Sequence, residues 1–275
     1  MSTFRIAACQ MNSQHDKAVN LQRAGELIDE AAALGAQMVG LPEMFNVLGE
    51  RDDSLRGAED IPGETSEFLA AKARQHGIYV HGGSIPVRAN DPNKVLNSTL
   101  IFDPAGQMIA RYDKLHLFDI HIEGQKTYKE SDAIAAGSKM VTFETDHGNV
   151  GLSICYDIRF PELFRALTLN GARIIFLPAA FTLYTGKDHW ETLIRARAIE
   201  NQVYMVCPAQ IGVHGNGRFC YGSSMIVDPW GTVLARAPER EGVIVADIAY
   251  NAQDKIRQEL PSLMHRRTDV YGQPG

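Results

Sequence analysis

Cys155 is the side chain in this sequence that is best placed to act as a nucleophile. It follows an apolar run at 150–154, which predicts a buried strand, and it precedes Pro161, which favours the first turn of a helix. A thiol at such an elbow projects into a cleft, where backbone N–H groups can lower its pKa and hold a developing oxyanion. The remaining cysteines lack this setting and are interpreted as structural: Cys9, Cys207 and Cys220.

A nucleophilic thiol needs a base, and Glu43 is the most suggestive acidic residue. It follows Leu41-Pro42 at the end of a predicted buried strand and precedes Met44-Phe45. Apolar walls would raise the pKa of this carboxylate, so that it could exchange protons near neutral pH. Lys114, directly after another predicted strand, could stabilise an oxyanion, and Glu130 is a second candidate carboxylate. Each of these three residues, taken alone, is better interpreted as an exposed loop or surface residue.

Composition and charge narrow the class of protein. The 275 residues are 45% hydrophobic and 22% charged, which is typical of a soluble globular protein with one large domain or two small ones. A formal net charge of −6 without a dense Lys/Arg run argues against a nucleic-acid or membrane-surface partner. The apolar runs are too short for a signal segment or a membrane span. Four widely spaced cysteines favour reduced thiols and a cytoplasmic location.

Strands and helices alternate along the predicted chain. Apolar runs and helical spacing in the first half predict strands at 4–11, 37–41 and 78–84, helices at 16–34 and 64–76, and a hairpin at 95–102 and 107–112. The second half predicts strands at 140–145, 150–154, 173–177 and 203–209, helices at 161–169 and 189–201, and a hairpin at 221–227 and 232–236. Residues 113–138 predict a long functional loop region, and residues 262–275 an extended tail.

Two echoes in the sequence predict an internal duplication. Residues 101–106 resemble residues 226–231. The Leu-Gly-Ala at 34–36 resembles the Asn-Gly-Ala at 170–172, and each of these two segments is followed by a predicted strand that ends in Leu-Pro. Turns recruit Asp, Pro and Gly everywhere, but two echoes in the same order favour duplication. Two β-α-β halves can bury their sheets against each other. We therefore predict one α/β domain over residues 1–275, built as a four-layer α-β-β-α sandwich with a site at one edge.

An ordered set of segments runs along the whole chain. These segments are Leu41-Pro42-Glu43, those around Lys114 and Glu130, residues 151–162, His189-Trp190, residues 195–201, Gly222-x-Ser224 and Asp228-Pro229-x-Gly231. The ordered set resembles the nitrilase, or carbon-nitrogen hydrolase, superfamily. Within it the chain looks most like the Nit branch, which includes omega-amidase and deaminated glutathione amidase; the segments at 45–46, 61–64, 82–86 and 116–120 look more like omega-amidase.

The resemblance implies an α-β-β-α sandwich, a homodimer or higher homo-oligomer, and no metal or other cofactor. It implies that Glu43 takes the proton of Cys155 and that the thiolate attacks an amide carbonyl. Lys114 and the backbone N–H of Tyr156 then stabilise the oxyanion. Glu43 protonates the leaving amine and afterwards activates water against the thioester, while Glu130 orients Lys114 and the substrate.

The implied substrate is a small amide with a distal carboxylate, hydrolysed to acid and ammonia as by an omega-amidase. Deaminated glutathione amidase and a broad aliphatic amidase or nitrilase are the alternatives. Arg159 could hold the carboxylate by a bidentate pair, although an ion pair with Asp157 or Glu162 is an equally good interpretation. Met44 stands where such relatives often have Tyr or Cys, so the preferred amide stays open. The predicted substrate contacts are Arg159, Tyr156, Thr185 and Phe181.

Three other interpretations have less support in the sequence than the thiol amidase. Nine histidines make a Cys–His pair conceivable, but no papain-like or caspase-like signature surrounds Cys155. His116, Asp119 and His121 suggest metal ligands, but no His-Glu-x-x-His spacing supports a metal hydrolase. A catalytically silent scaffold would not need an intact set of Cys155, Glu43 and their charged neighbours.

Overall fold

The computed structural model describes residues 3–121, 128–215 and 217–272. The helices of these residues are α1 (Lys17–Ala33), α2 (Arg51–Gly57), α3 (Glu64–His76), α4 (Pro161–Leu169), α5 (Leu183–Asn201), α6 (Tyr250–Glu259) and α7 (Thr268–Tyr271). The strands are β1 (Phe4–Met11), β2 (Met38–Gly40), β3 (Tyr79–His81), β4 (Ile85–Arg88), β5 (Val95–Phe102), β6 (Met108–Asp113), β7 (Asp119–Ile120), β8 (Tyr128–Lys129), β9 (Ile134–Ala135), β10 (Thr142–Thr145), β11 (Gly148–Leu152), β12 (Ile174–Phe176), β13 (Tyr204–Cys207), β14 (Ala209–Val213), β15 (Phe219–Tyr221), β16 (Met225–Val227), β17 (Val233–Arg236) and β18 (Gly242–Ile248).

Two large sheets form the framework of the described chain. The first has the order β15-β14-β1-β2-β3-β5-β4, with β18 beside β1 and with β6 and β9 beside β5. The second has the order β10-β11-β12-β13-β16-β17, and β7 pairs with β8 in a small separate sheet. β1, β2 and β3 run parallel to one another, as do β11, β12 and β13.

The alternation of side chains along β1 explains the layers. Ile6 and Ala8 point into a core that also holds Phe176 of the second sheet, so the two sheets face each other. Ala7 and Cys9 point the opposite way, into a core shared with the apolar faces of α1 and α3. Residues of α4 and α5 pack in the core of the second sheet. The predicted α-β-β-α sandwich is therefore confirmed.

The two halves of the sandwich repeat one topology. In each half a helix joins two parallel strands, a second helix leads to a third parallel strand, and a hairpin then pairs antiparallel to that third strand. Both hairpins carry a register shift, between Ile101 and Phe102 in the first and between Ile226 and Val227 in the second. These shifts fall inside the two echoing segments, which supports the predicted internal duplication.

Several element boundaries were predicted wrongly. α5 begins at Leu183 rather than at residue 189, because Gly186 packs against Tyr221 in a first turn that lacks apolar spacing. Tyr221 belongs to β15 and not to the second hairpin, since Gly222 and Ser223 have positive φ values and end the strand. The predicted tail contains the short helix α7, and residues 273–275 lie outside the described part.

Other elements were missed or incompletely predicted. The loop region at 113–138 holds three short strands and a 3₁₀ turn, while its residues 122–127 lie outside the described part. Sequence analysis did not predict α2, β4, β14, β18 or α6. Within the described residues, no helix is long and apolar enough to cross a membrane.

Candidate active site

Cys155 lies at a strained elbow between β11 and a 3₁₀ turn that spans Cys155–Arg159. Its φ is +46°, in the left-handed region, which costs a non-glycine residue about 1–3 kcal/mol and is typical of functional sites. The backbone N–H of Cys155 donates to the carbonyl of Pro178 at 2.9 Å, which fixes the elbow against the end of β12. Tyr156 lies in the first turn, where backbone N–H groups have no partner within the helix.

Glu43 follows β2 and is 4% exposed. Its Oε1 accepts hydrogen bonds from Asn97 Nδ2 at 2.9 Å and from Lys114 Nζ at 3.0 Å. Its Oε2 accepts one from the backbone N–H of Ala180 at 2.7 Å. Cys155 lines the same cavity as this carboxylate, whose negative charge acts on the thiol. The side chain is therefore fixed beside the candidate nucleophile.

Lys114 follows β6, and its ammonium is buried between two carboxylates. Nζ lies 3.0 Å from Glu43 Oε1, and 2.9 and 3.0 Å from the two oxygens of Glu130. Glu130 is in turn held by the backbone N–H of Phe118. A buried ammonium with such partners keeps its charge, and its pKa is raised: desolvation opposes that charge, but Glu130 and Glu43 outweigh it.

The charge state of Glu43 corrects the sequence prediction of a raised pKa. Burial opposes ionisation, but the charge of Lys114 and the hydrogen bonds from Cys155, Lys114 and Ala180 lower the pKa below its ordinary value. Burial, with the negative charge of Glu43, raises the pKa of the Cys155 thiol. At neutral pH the resting site therefore pairs a carboxylate base with a neutral thiol.

These residues line one cavity of about 250 Å³. Glu43, Lys114, Glu130 and Cys155 all line it, so the structure brings together the four predicted catalytic residues. Three of the four predicted substrate contacts also line it, namely Tyr156, Phe181 and Thr185.

Arg159 is not among the described residues that line the cavity. Its guanidinium lies 5.5 Å from the centre of the Phe181 ring and 5.8 Å from that of Tyr156, with Nη2 at 3.3 Å from His189 Nδ1. The alternative partner Asp157 is turned to the interior, where it accepts a hydrogen bond from the Tyr112 hydroxyl at 2.7 Å. Arg159 thus stands beside two rings of the cavity wall.

Comparison with known proteins gives the family of this chain and a similar structure. The sequence model of the family described as Carbon-nitrogen hydrolase matches residues 5–258. The chain belongs to the carbon-nitrogen hydrolase family. Its fold is that of the crystal structure of the C. elegans NitFhit protein, with a TM-score of 0.93 and 42% identity over 98% of this chain and 66% of that one.

Curated relatives in the carbon-nitrogen hydrolase family match over nearly their whole length. A deaminated glutathione amidase from Synechocystis is 45% identical over 97% of this chain and 99% of its own. The mouse omega-amidase NIT2 is 41% identical over 98% of each chain. The predicted resemblance to the Nit branch is therefore confirmed.

Several residues of this carbon-nitrogen hydrolase site were not found from the sequence. Asn97 and Ala180 hold Glu43, yet they lie 54 and 137 positions from it, so no local pattern connects them. Three basic residues also line the cavity, namely Arg51 in α2, Lys129 in β8 and Arg218 just before β15. They belong to segments whose sequence has no clear periodicity.

The residues considered as metal ligands have other contacts. His116 Nδ1 lies 2.7 Å from Asp157 Oδ1, and Asp119 accepts a hydrogen bond from the backbone N–H of Ser131 at 2.9 Å. Over residues 3–121, 128–215 and 217–272, the structure has no group of three or more His, Cys, Asp or Glu side chains that could hold a metal ion.

Gly83 supports the turn that carries Glu43, and we expect Gly83→Ala to disrupt it. Its φ is +52°, and an added Cβ would lie 2.1 Å from the carbonyl oxygen of Pro42. The combined strain and clash should lower the free energy of unfolding by about 2 kcal/mol or more, and displacement of Glu43 should reduce turnover. Chemical denaturation and an activity assay measure both effects.

Gly77→Ala is the matched control for this substitution. Gly77 also has a left-handed φ, +63°, but nothing lies within 4 Å of an added Cβ. It should lose only about 1 kcal/mol of stability and keep its activity. Equal losses in the two variants would show that contact with the Glu43 turn is unimportant.

Proposed function

We propose that this carbon-nitrogen hydrolase cleaves a small amide with a distal carboxylate, in the manner of an omega-amidase, through a thioester on Cys155. The observation that carries the proposal is the buried carboxylate of Glu43, which accepts a hydrogen bond from the Lys114 ammonium and lines the same cavity as Cys155. Nucleophile, base and cation are the three groups that acyl transfer by a thiol requires.

In the first half-reaction, Glu43 accepts the thiol proton as the sulfur of Cys155 attacks the amide carbonyl. Negative charge then develops on the carbonyl oxygen, near the Lys114 ammonium and the backbone N–H of Tyr156. Each such donor typically contributes about 3 kcal/mol to transition-state stabilisation. Glu43 next gives its proton to the leaving nitrogen, so the amine departs uncharged and the acyl group stays on sulfur.

In the second half-reaction, Glu43 is ionised again and takes a proton from water. The hydroxide attacks the thioester, and the same two donors stabilise the second oxyanion. Collapse of this intermediate expels the Cys155 thiolate, which recovers the proton from Glu43. Glu130 keeps Lys114 in place throughout, since it accepts hydrogen bonds from Nζ on both of its oxygens.

The cavity supports a substrate with a carboxylate at the end remote from the amide. Phe181 and Tyr156 offer apolar walls for a short carbon chain, and Thr185 offers a hydroxyl. Arg51 and Arg218 line the same cavity, and Arg159 lies against the two rings. Arginine is the side chain best suited to a bidentate pair with a carboxylate.

Deaminated glutathione is a second candidate substrate, because a relative 45% identical to this chain is named for its hydrolysis. Its amide nitrogen carries a dipeptide, so its leaving group ends in another carboxylate. The cationic lining residues Arg51, Lys129 and Arg218 would suit such a group. The two candidates share one acyl chemistry and differ in the amine that departs.

A substrate screen tests the proposal directly. Ammonia release is measured with succinamate, α-ketoglutaramate and uncharged aliphatic amides, and cysteinylglycine release with deaminated glutathione. We expect kcat/KM to be about 10- to 150-fold higher for the carboxylate-bearing amides, since loss of a hydrogen bond to a charged group costs about 1.5–3 kcal/mol. Preference for uncharged amides would contradict the proposal, and Arg159→Met and Arg218→Met identify the arginine whose loss raises KM only for charged substrates.

We also propose that the chain is one domain that assembles as a homodimer or higher homo-oligomer in the cytoplasm. Large apolar side chains are exposed on the C-terminal segment, where Met264 is 83% and Val270 68% exposed. Such side chains favour a protein interface. All four cysteines are buried free thiols, in keeping with a reducing compartment. Light scattering with size-exclusion chromatography measures the assembly.

A further inference from the structure

Asn97 is a buried polar residue outside the set of described residues that line the cavity. It lies in β5 and is 1% exposed. Its Nδ2 donates to Glu43 Oε1 at 2.9 Å, and its backbone carbonyl accepts from the N–H of Lys114 at 2.9 Å. One residue thus contacts the side chain of the candidate base and the main chain of the candidate oxyanion donor.

The two oxygens of Glu43 have different surroundings. Oε1 accepts from both Asn97 Nδ2 and Lys114 Nζ, which occupies the two lone pairs of that oxygen. Oε2 accepts from the N–H of Ala180, two residues beyond Pro178, whose carbonyl accepts the N–H of Cys155 at 2.9 Å. Oε2 is therefore the oxygen on the side of the nucleophile.

We propose that Asn97 is a positioning residue that keeps Oε1 of Glu43 occupied, so that the proton exchanged with Cys155 is held on Oε2. The inference rests on the proposed function, in which Glu43 is the base. A carboxylate with a free Oε1 could hold the proton on the side away from the sulfur. From there it would reach neither the leaving nitrogen nor the thiolate.

The side-chain oxygen of Asn97 has no hydrogen-bond partner among the described residues, which supports a role for the N–H that the same amide donates to Glu43. Oδ1 is buried and has no hydrogen-bond partner in the described part of the chain. An apolar side chain of similar shape, such as leucine, would fill the same space without an unpaired polar atom. The opposite amide orientation would set Oδ1 against the Glu43 carboxylate. The carboxylate therefore dictates the orientation, and the donated hydrogen bond offsets the cost of the orphan.

Two substitutions test the proposal in kinetics against pH. Asn97→Leu removes the donor, and Asn97→Asp, which keeps the native shape, sets a second carboxylate against Oε1. Both changes disfavour the ionised form of Glu43, so the acid limb of the kcat/KM profile should move to higher pH. We expect kcat to fall about tenfold or more, because a general base that is less well positioned loses part of its contribution to the rate. KM should stay within about twofold of the wild-type value. The limb should move further in Asn97→Asp.

Asn201→Leu is the matched control. Asn201 is fully buried in α5, its Nδ2 donates to the carbonyl of Arg197, and its Oδ1 likewise has no hydrogen-bond partner in the part of the chain that the structure describes. The control should change stability without moving the acid limb. If Asn97→Leu and Asn97→Asp match Asn201→Leu in kcat and acid limb, the proposal is overturned; if Asn97→Leu does not fold, Asn97→Asp alone decides. A wild-type protein that hydrolyses no amide would instead contradict the proposed function.

Discussion

Replacement of Cys155 by alanine should abolish amide hydrolysis and leave the fold intact. The thiol is the only proposed atom that becomes bonded to the acyl group, so its loss removes the whole covalent route and should lower kcat by about 10⁴-fold or more. The elbow itself is held by the backbone, through the N–H of Cys155 and the carbonyl of Pro178. Thermal unfolding should therefore change little, and mass spectrometry should find the thioester only in the wild type.

Cys207→Ala provides the comparison for this result. Cys207 is also a fully buried free thiol, and burial alone raises its pKa, but it lies in β13 within the core. The substitution deletes the same atom, so its effect on stability should be similar while turnover persists. Substantial hydrolysis by Cys155→Ala, or loss of hydrolysis in Cys207→Ala alone, would show that the nucleophile has been misassigned.

The sequence could predict the positions of Cys155 and Glu43 because both follow short apolar strands. A strand that ends in Leu-Pro, or that leads into a helix beginning with proline, has a local signature. The parallel strands β2 and β11 belong to opposing sheets, and stacking of the repeated halves brings their ends to one edge. Local pattern and duplication therefore made these two residues candidates, and the resemblance to the carbon-nitrogen hydrolases joined them in one site.

The electrostatics of the site could not be predicted in the same way. The pKa of Glu43 was expected to rise because only its apolar sequence neighbours were considered. The donors that lower this pKa, Lys114 and Ala180, lie 71 and 137 positions from Glu43 in the sequence. Asn97, which also donates a hydrogen bond to Glu43, lies on another strand, β5. A pKa depends on distances between side chains, which sequence spacing does not give.

Boundaries failed where tertiary contacts override local preference. The first turn of α5 contains Thr185 and Gly186, which lie before the predicted start of this helix at residue 189. Gly186 lies so close to Tyr221 that a larger residue would clash, and the close packing keeps this turn helical. The early start of α5 matters for the site, because it places Thr185 on the cavity wall.

Lys114→Met should be the second most damaging substitution, with a loss of about 10²–10³ in kcat/KM from the missing oxyanion donor. The substitution should also move the acid limb of the pH profile of kcat/KM to higher pH. In the wild type the lowered pKa of Glu43 keeps the base ionised, so activity is lost only as pH falls through that low value. Without the ammonium, Glu43 and Glu130 face each other, the pKa of the pair rises, and activity should disappear at a higher pH.

Two further variants separate catalysis from charge balance at Lys114. The buried carboxylate of Glu43 and the half-buried carboxylate of Glu130, left without their cation, should destabilise Lys114→Met by about 3–5 kcal/mol. Adding Glu130→Gln removes one of these charges, so the double variant should recover stability while kcat stays low. Lys72→Met, which breaks a half-buried pair with Asp29, should lose some stability and no activity. Recovery of turnover in the double variant would show that Lys114 only neutralises its neighbours, whereas persistent loss assigns it to the oxyanion.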